Sequence, residues 1–190
     1  MQSVGYIDDL EVVRCLTIPE DFPTIQEGID AANQGDVIWV NERTYFENII
    51  VRKSIWLIGE NASTTVIDGK FGYTAGRKTD IISIRGNNVT VYGFTIRNAE
   101  HDGIHVNGSD NAVTNSIVSS ALNDGISIAG SRNTLISNTF DSNNGCGVRI
   151  TSGEDNLVIN NIIKDNGQGL ECESSTKDNK IYQNRFVSNI

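Results

Sequence analysis

The fold of this chain is decided by a short pattern that recurs every 22 residues: His101-Asp102-Gly103-Ile104-His105-Val106, Asn123-Asp124-Gly125-Ile126-Ser127-Ile128, Gly145-Cys146-Gly147-Val148-Arg149-Ile150 and Gln168-Gly169-Leu170-Glu171-Cys172. Within each unit, apolar and polar residues alternate over a few positions, which is the period of a β-strand. A pair of helices does not fit into so short a repeat, whereas one coil of a β-solenoid does.

A second set of repeats runs in step with the first. One asparagine recurs in each unit, and apolar residues follow it two and seven positions later, which gives three series: Asn87, Asn111, Asn133, Asn156, Asn179; Val89, Val113, Leu135, Val158, Ile181; and Phe94, Val118, Phe140, Ile163, Phe186. Strands this short bury little surface alone, so each must pair in parallel with its equivalent one period later. We therefore predict an all-β fold, a right-handed parallel β-helix of about seven coils, with both apolar series buried and the asparagines bonding from coil to coil.

The N-terminal part has a different pattern. Residues 24–33 carry apolar residues at helical spacing after Pro23 and begin with a Thr cap, which predicts a short amphipathic helix over the open end of the β-helix. We expect an N-terminal segment over residues 1–23 and one β-helix domain over 24–190. Within that domain, residues 34–80 would form irregular coils with an inserted loop, and residues 81–190 regular repeats of 22–24 residues.

Composition excludes several classes of function. The chain has 190 residues and a formal net charge of −9, so it lacks the clustered cations that nucleic-acid binding needs. No apolar run is long enough for membrane insertion. Residues 1–14 carry three acidic residues where a signal peptide would have a basic start, and the sequence therefore contains no visible signal.

The three cysteines fall at different positions of the repeat. Cys172 is expected in an inward column below Ile150, as a small apolar filler, whereas Cys146 falls in a turn column and is expected to be more exposed. They are out of register with each other, so we expect no disulfide between them, and their spacing does not predict a metal site.

One face carries more than scaffold residues. The only two histidines, His101 and His105, lie beside Asp102, which stacks on Asp124, and the outward column of the next strand continues with Arg149 and Glu171. The inserted loop, with Phe71, Tyr73, Arg77 and Lys78, should overhang this face. Aromatic rings to stack on a sugar, and charges to bind its carboxylates, would suit polysaccharide binding.

The N-terminal run of the chain resembles known proteins. Residues 22–32, followed by Gly35-Asp36-Val37-Ile38-Trp39-Val40, Thr44-Tyr45-Phe46-Glu47-Asn48-Ile49 and Val66-Ile67-Asp68-Gly69, are similar to the cap and first coils of the pectin-lyase-like right-handed β-helix superfamily. The later repeats resemble NosD-type and carbohydrate-binding-and-hydrolase (CASH) modules. The resemblance covers roughly residues 17–190 and implies an extracellular, cell-surface or periplasmic protein.

The superfamily's catalytic motifs are only partly matched. The pectin methylesterase motif with the second Asp has no counterpart. The nearest equivalents of the polygalacturonase motifs are His101-Asp102-Gly103, Asn123-Asp124, Gly145-Cys146-Gly147 and Arg149-Ile150-Thr151, which lack the second Asp of a pair and the His. The carboxylate cluster with a nearby base that calcium-dependent lyases use is not recognisable.

Three hypotheses of function remain open. The first is a polysaccharide-binding or structural module, non-catalytic as it stands. The second is a polysaccharide lyase, hydrolase or epimerase with Asp102, Asp124, His105 and Arg149 as catalytic residues and Phe71, Tyr73, Arg77, Lys78, His101 and Glu171 as binding residues. The third is a NosD-type copper-site accessory protein.

Cofactors and partners follow from the same residues. The paired carboxylates of Asp102 and Asp124 suit acid–base work on a glycosidic bond or, with Asn and backbone oxygens, a calcium ion. Polysaccharide is the expected partner. The last repeat stops without a capping segment, which favours end-to-end self-association or a longer parent chain.

Overall fold

The strands are short and evenly spaced along the chain. The structure, a computed structural model, describes residues 13–71 and 79–190, without the side chain of Phe71. One helix, α1 (Ile25–Ala31), and one 3-10 turn (Gly69–Phe71) accompany the strands. Within these ranges the strands are β1 (Cys15–Ile18), β2 (Val37–Val40), β3 (Arg43–Tyr45), β4 (Ile49–Val51), β5 (Trp56–Gly59), β6 (Thr65–Asp68), β7 (Ile82–Ile84), β8 (Thr90–Tyr92), β9 (Thr95–Arg97), β10 (Ile104–Val106), β11 (Ala112–Thr114), β12 (Ile117–Ser119), β13 (Ile126–Ala129), β14 (Thr134–Ile136), β15 (Thr139–Asp141), β16 (Cys146–Glu154), β17 (Leu157–Ile159), β18 (Ile162–Lys164), β19 (Gln168–Cys172), β20 (Thr176–Lys177), β21 (Lys180–Tyr182) and β22 (Arg185–Val187).

The strands stack into three parallel sheets along one axis, which confirms the predicted parallel β-helix. The first sheet has the order β1-β2-β5-β8-β11-β14-β17-β21, the second β4-β7-β10-β13-β16-β19, and the third β3-β6-β9-β12-β15-β18-β22. The described residues therefore make about eight coils rather than the expected seven, because β1, which precedes the helix, already pairs with β2. No helix within residues 13–71 and 79–190 is long and apolar enough to cross a membrane.

Side-chain ladders satisfy the backbone at each corner between sheets. Before the first sheet, the N–H groups of Asn111, Asn133 and Asn156 each donate to the Oδ1 of the Asn one coil later, at 2.8–3.0 Å. Two further ladders follow at five-residue intervals, formed by Ser116, Asn138, Asn161, Asn184 and by Ala121, Asn143, Asn166, Asn189. Of these three ladders, the repeat pattern predicted the first.

The register predicted for Asn87, Val89 and Phe94, the first members of the three series, was wrong. Strand pairing places Val113 opposite Val91 and Val118 opposite Ile96, so Asn87 and Phe94 lie out of register with the columns to which the sequence assigned them. Val89 and Phe94 occupy corner positions, and their N–H groups donate to Asn111 Oδ1 and Ser116 Oγ. Both side chains are nevertheless fully buried.

The apolar columns fill the interior of the cylinder except at its last coil. Val118, Phe140 and Ile163 are fully buried, as predicted. In contrast, Ile181 is 37% and Phe186 is 50% exposed, which contradicts the prediction that they are buried. Both lie on β21 and β22, the outermost strands of their sheets, so no further coil of the described chain covers them.

The helix lies against the N-terminal coils, as the sequence predicted. Thr24 caps it by accepting the N–H of Glu27, and Glu47 accepts the N–H groups of Ile25 and Gln26. Ile25 and Ile29 are buried against β1, β2 and β4. The helix thus covers the core at that end and fixes the first coils.

A buried carboxylate joins the first strands to the helix. Asp36 accepts hydrogen bonds from the backbone N–H and the guanidinium of Arg14 and from the N–H of Asn33. Burial alone raises the pKa of Asp36, but these bonds outweigh it and lower the pKa to about 2. Asp36 therefore holds the start of β1, the end of α1 and the start of β2 together.

We predict that Asp36→Asn lowers the free energy of unfolding at neutral pH by about 1–3 kcal/mol, because buried N–H donors lose a charged acceptor. Since the folded pKa lies below the ordinary value of 3.8, the stabilisation is complete above that value and is lost as the pH falls towards about 2. Denaturant unfolding between pH 2 and 7 measures this. The control is exposed Asp155→Asn, and equal pH dependence of the two variants would contradict the prediction.

We predict that Phe140→Ala lowers the free energy of unfolding by about 3–5 kcal/mol, because it leaves a cavity inside the cylinder. Phe186→Ala, in the same column but half exposed, should cost clearly less. Denaturant titrations of both variants measure the difference, and similar losses would mean that the last coil is as well packed as the interior.

Candidate functional site

The second sheet presents one outward residue per coil in a straight column. Strand pairing aligns one outward residue from each of β7, β10, β13, β16 and β19, which gives the column Ser83, His105, Ser127, Arg149, Glu171. The part from His105 to Glu171 is the column that the sequence predicted. Equivalent positions in stacked coils lie roughly 4.8 Å apart, so these side chains form a row along the axis.

A ladder of carboxylates runs beside this column, in the turns that precede the strands. Asp80 Oδ1 accepts the N–H of Asp102 at 3.3 Å, Asp102 Oδ1 that of Asp124 at 3.1 Å, and Asp124 Oδ1 that of Cys146 at 2.7 Å. Asp102 and Asp124 are each only 1% exposed. The aspartates therefore add a second ladder to this turn, three residues after the ladder that contains Ala121 and Asn143.

Asp102 is the most heavily bonded group of the ladder. Its Oδ1 also accepts from Asn123 Nδ2 at 2.7 Å, and its Oδ2 lies 3.4 Å from His105 Nδ1 and 3.5 Å from His101 Nδ1. Burial alone raises the pKa of Asp102, but the bonds from His105 and Asn123 outweigh it and hold the pKa below its ordinary value. The bond to Asp102 in turn raises the pKa of His105, against the effect of burial.

Asp80 belongs to the same cluster and lies at the N-terminal end of the carboxylate ladder. Its Oδ1 lies 2.8 Å from His101 Nδ1, its Oδ2 accepts from Ser83 Oγ at 3.2 Å, and its backbone oxygen accepts from Asn48 Nδ2 at 2.7 Å. The sequence analysis did not single out Asp80. Asp80 lies 22 residues before Asp102, which is one repeat length, and it precedes a strand as Asp102 does. This position in the repeat is the sequence signal that could have identified it.

Arg149 bonds to carboxylates at the C-terminal end of the ladder. Its Nε donates to Asp124 Oδ2 at 2.7 Å, one guanidinium nitrogen donates to Glu171 Oε2 at 2.6 Å, and that nitrogen lies 3.9 Å from Glu173 Oε1. One cation thus faces three carboxylates, which leaves this end of the site acidic. Glu173 was not anticipated from the sequence.

Both expectations for the exposure of the cysteines were wrong. Cys146 is fully buried, since its turn is closed by the carboxylate ladder, and its Sγ lies 3.3 Å from Gln168 Oε1 and 3.5 Å from Glu171 Oε2. Cys172 does lie opposite Ile150, but it is exposed because it belongs to the last strand of its sheet. No disulfide joins the cysteines, all three of which lie in the described residues, as predicted.

The structure brings six of the ten predicted site residues together on one face: His101, Asp102, His105, Asp124, Arg149 and Glu171. Tyr73, Arg77, Lys78 and the side chain of Phe71 lie outside the described residues. The predicted overhang of their loop therefore remains a prediction. The described face offers imidazoles, one guanidinium and carboxylates, which can bind hydroxyl groups or cations.

Cys146 should be chemically inert in the folded protein, because burial raises the pKa of its thiol to about 12. We predict that iodoacetamide modifies exposed Cys15 and Cys172 in the native protein and reaches Cys146 only after unfolding. Intact-mass measurement counts the adducts, and Cys146→Ser, as control, should show the native adduct count of the wild type. Rapid native loss of all three thiols would contradict the prediction.

Comparison with known proteins places the fold. The model of the right handed beta helix region matches residues 80–190, more than half of the chain. Among solved structures, pectate lyase Pel9A superposes with a TM-score of 0.69 at 19% identity, over 83% of this chain and 49% of its own length. The pectin methylesterase from carrot gives 0.56 at 14%, over 92% and 66%, and pectin methylesterase PemA from Erwinia chrysanthemi 0.53 at 12%, over 91% and 68%. No curated protein matches by sequence.

Identities this low show a common fold and nothing more. The chain spans about half the length of the pectate lyase and about two thirds of the carrot esterase. Its β-helix is therefore a fold shared with a polysaccharide lyase and with esterases, and the chain belongs to the right-handed β-helix family.

Proposed function

We propose that this protein is an extracellular, cell-surface or periplasmic β-helix module that binds polysaccharide on the face of its second sheet, without cleaving it. The observation that carries the proposal is the state of the two central carboxylates. Asp102 and Asp124 are almost completely buried, and both oxygens of each contact polar groups of the protein, Asp102 Oδ2 lying 3.4 Å from His105 Nδ1.

Cleavage of a glycosidic bond needs carboxyl groups that reach the bond from the protein surface. Asp102 and Asp124 instead hold the turns of neighbouring coils, since their oxygens bind the N–H groups of Asp124 and Cys146. Removing them from these bonds would leave buried donors without partners. These contacts favour a structural role for both carboxylates.

The groups that reach solvent are suited to binding. The side chains of His101 and Glu171 are about two-fifths exposed, at 42% and 40%, and those of His105 and Arg149 are half-buried. Ser127, which lies between His105 and Arg149 in this column, is buried, so the accessible groups are separated by two coils from His105 to Arg149 and by one coil from Arg149 to Glu171. An extended polymer with regularly repeated hydroxyl groups is a natural ligand for such a row.

A carbohydrate-active enzyme is the second candidate, and one observation favours it. The half-buried imidazole of His105 is hydrogen-bonded to Asp102, and this bond raises the pKa of His105. An imidazole oriented by a carboxylate is a group that transfers protons in many enzymes. In this alternative, His105 is the accessible acid or base and Asp102 orients it.

We predict that a panel of neutral and uronic-acid polysaccharides, tested with and without calcium, contains a ligand that the protein binds and leaves intact. Arg149→Ala should weaken that binding roughly 5- to 150-fold, about 1–3 kcal/mol, through lost charge-assisted hydrogen bonds. Affinity electrophoresis measures binding, and release of reducing ends measures cleavage.

The matched control is Arg132→Ala, because Arg132 is also paired with an aspartate but lies at a corner before the first sheet. Thermal unfolding shows whether each variant is folded. Cleavage that Asp102→Asn and His105→Gln abolish would replace the proposal by the enzyme alternative. Absence of binding across the panel would leave a structural role.

A further inference from the structure

Three atoms that could bind a metal ion, each from a different side chain, lie close together at the N-terminal end of the carboxylate ladder. One carboxylate oxygen each of Asp80 and Asp102 and a ring nitrogen of His101 all lie within 4.8 Å of one another. They come from two successive coils, since Asp80 precedes β7 and Asp102 precedes β10. Strand pairing between those coils therefore fixes their spacing before any ligand binds.

The distances fit a small coordination sphere. His101 Nδ1 lies 2.8 Å from Asp80 Oδ1 and 3.5 Å from Asp102 Oδ2. Ligands about 2.0–2.1 Å from a tetrahedral zinc ion are roughly 3.3 Å from each other, the edge of that tetrahedron. These two separations bracket this value, and one oxygen of Asp80 and one of Asp102 lie within 4.8 Å of each other.

The donor set distinguishes between classes of metal. Calcium takes six to eight oxygen ligands, whereas an imidazole nitrogen with carboxylate oxygens suits zinc and its neighbours among the divalent transition metals. We propose that Asp80, His101 and Asp102 bind one divalent ion of the zinc class. His101 and Asp102 also belong to the proposed polysaccharide-binding face, but zinc binding can be measured without any polysaccharide.

Charge and accessibility support such an ion. Two carboxylates share this corner, and Arg149 is committed to Asp124 and Glu171 farther along the axis, whereas the cation Arg85 lines a cavity together with Asp80. The side chains of Asp80 and His101 reach solvent, which gives an ion a way in. The Asn48 side chain lies beside Asp80, since its Nδ2 donates to the backbone oxygen of Asp80, and its Oδ1 has no hydrogen-bond partner among the described residues.

The ion would add a link between two coils that already meet through strand pairing, the apolar core and the contact of His101 with Asp80. Because it binds the folded arrangement and not the unfolded chain, it should raise the unfolding temperature in proportion to its occupancy. Stabilisation by zinc is therefore a readout that requires no knowledge of function.

The test uses tag-free protein carrying Cys15→Ser and Cys172→Ser, so that exposed thiols do not bind zinc. Isothermal titration with zinc should show one saturable site per chain, and thermal unfolding should shift upward on addition of zinc. Calcium at equal concentration should compete weakly. Asp80→Asn and His101→Gln should each weaken zinc binding at least about tenfold.

The matched control is Asp141→Asn, since Asp141 is a carboxylate paired with Lys164 and has no imidazole near it. It should leave the zinc affinity unchanged within about twofold, consistent with the small effects of exposed charge pairs. Loss of binding in both site variants, with the control intact, supports the proposal. Absence of saturable binding, unchanged affinity in folded Asp80→Asn and His101→Gln, or equal weakening in the control overturns it.

Discussion

The structure depends on how backbone N–H groups are satisfied where the chain turns between sheets. The short strands pair with strands of the coils on either side. At the corners between strands, however, buried backbone N–H groups have no strand partner. Inward-facing side chains meet this need: Asn133 Oδ1 accepts the N–H of Asn111 from the previous coil, and Asn156 repeats the arrangement for Asn133. Each of these asparagines follows a residue with positive φ, such as Asp110, Arg132 or Asp155, which turns the chain and points the next side chain inward.

The candidate site uses the same kind of hydrogen bond, from a backbone N–H to a side-chain oxygen of a neighbouring coil. In the turns before the second sheet, aspartates form a second ladder beside the asparagine ladder, and their hydrogen bonds run in the opposite direction along the axis. A carboxylate accepts bonds as an amide does, but it also brings charge, which attracts His101, His105 and Arg149 to the turn. Scaffold and site are therefore built from the same atoms, and a substitution of Asp102 or Asp124 changes both.

Close approach of the backbone sets a second limit on the sequence. A Cβ on Gly130 would lie 2.0 Å from the carbonyl oxygen of Gly108, which stacks on it one coil earlier, so any side chain there forces the coils apart. Stacking also explains the unequal burial of equivalent residues. Phe140 has a coil on either side and is buried, whereas Phe186, in the same column, has a neighbour on one side and is half exposed.

The sequence by itself determined the period, the parallel β-helix, the capping helix and the outward column from His105 to Glu171, because each arises from local patterns that repeat with the coil. Only the tertiary structure decided the register of the coil that contains β8 and β9. The spacing of Asn87 and Val89 resembles that of Asn111 and Val113, but the strands pair Val91 with Val113, at the same 22-residue distance that separates Val113 from Leu135 in the next coil. The tertiary structure also decided the burial of Cys146 and the exposure of Cys172. Cys146 is buried because a neighbouring carboxylate closes its turn, and Cys172 is exposed because no further coil lies next to it. The repeat pattern of the sequence predicts neither. Asp80 joined the site for the same reason: its partners, His101 and Asp102, come from the following coil and meet it only when the coils stack.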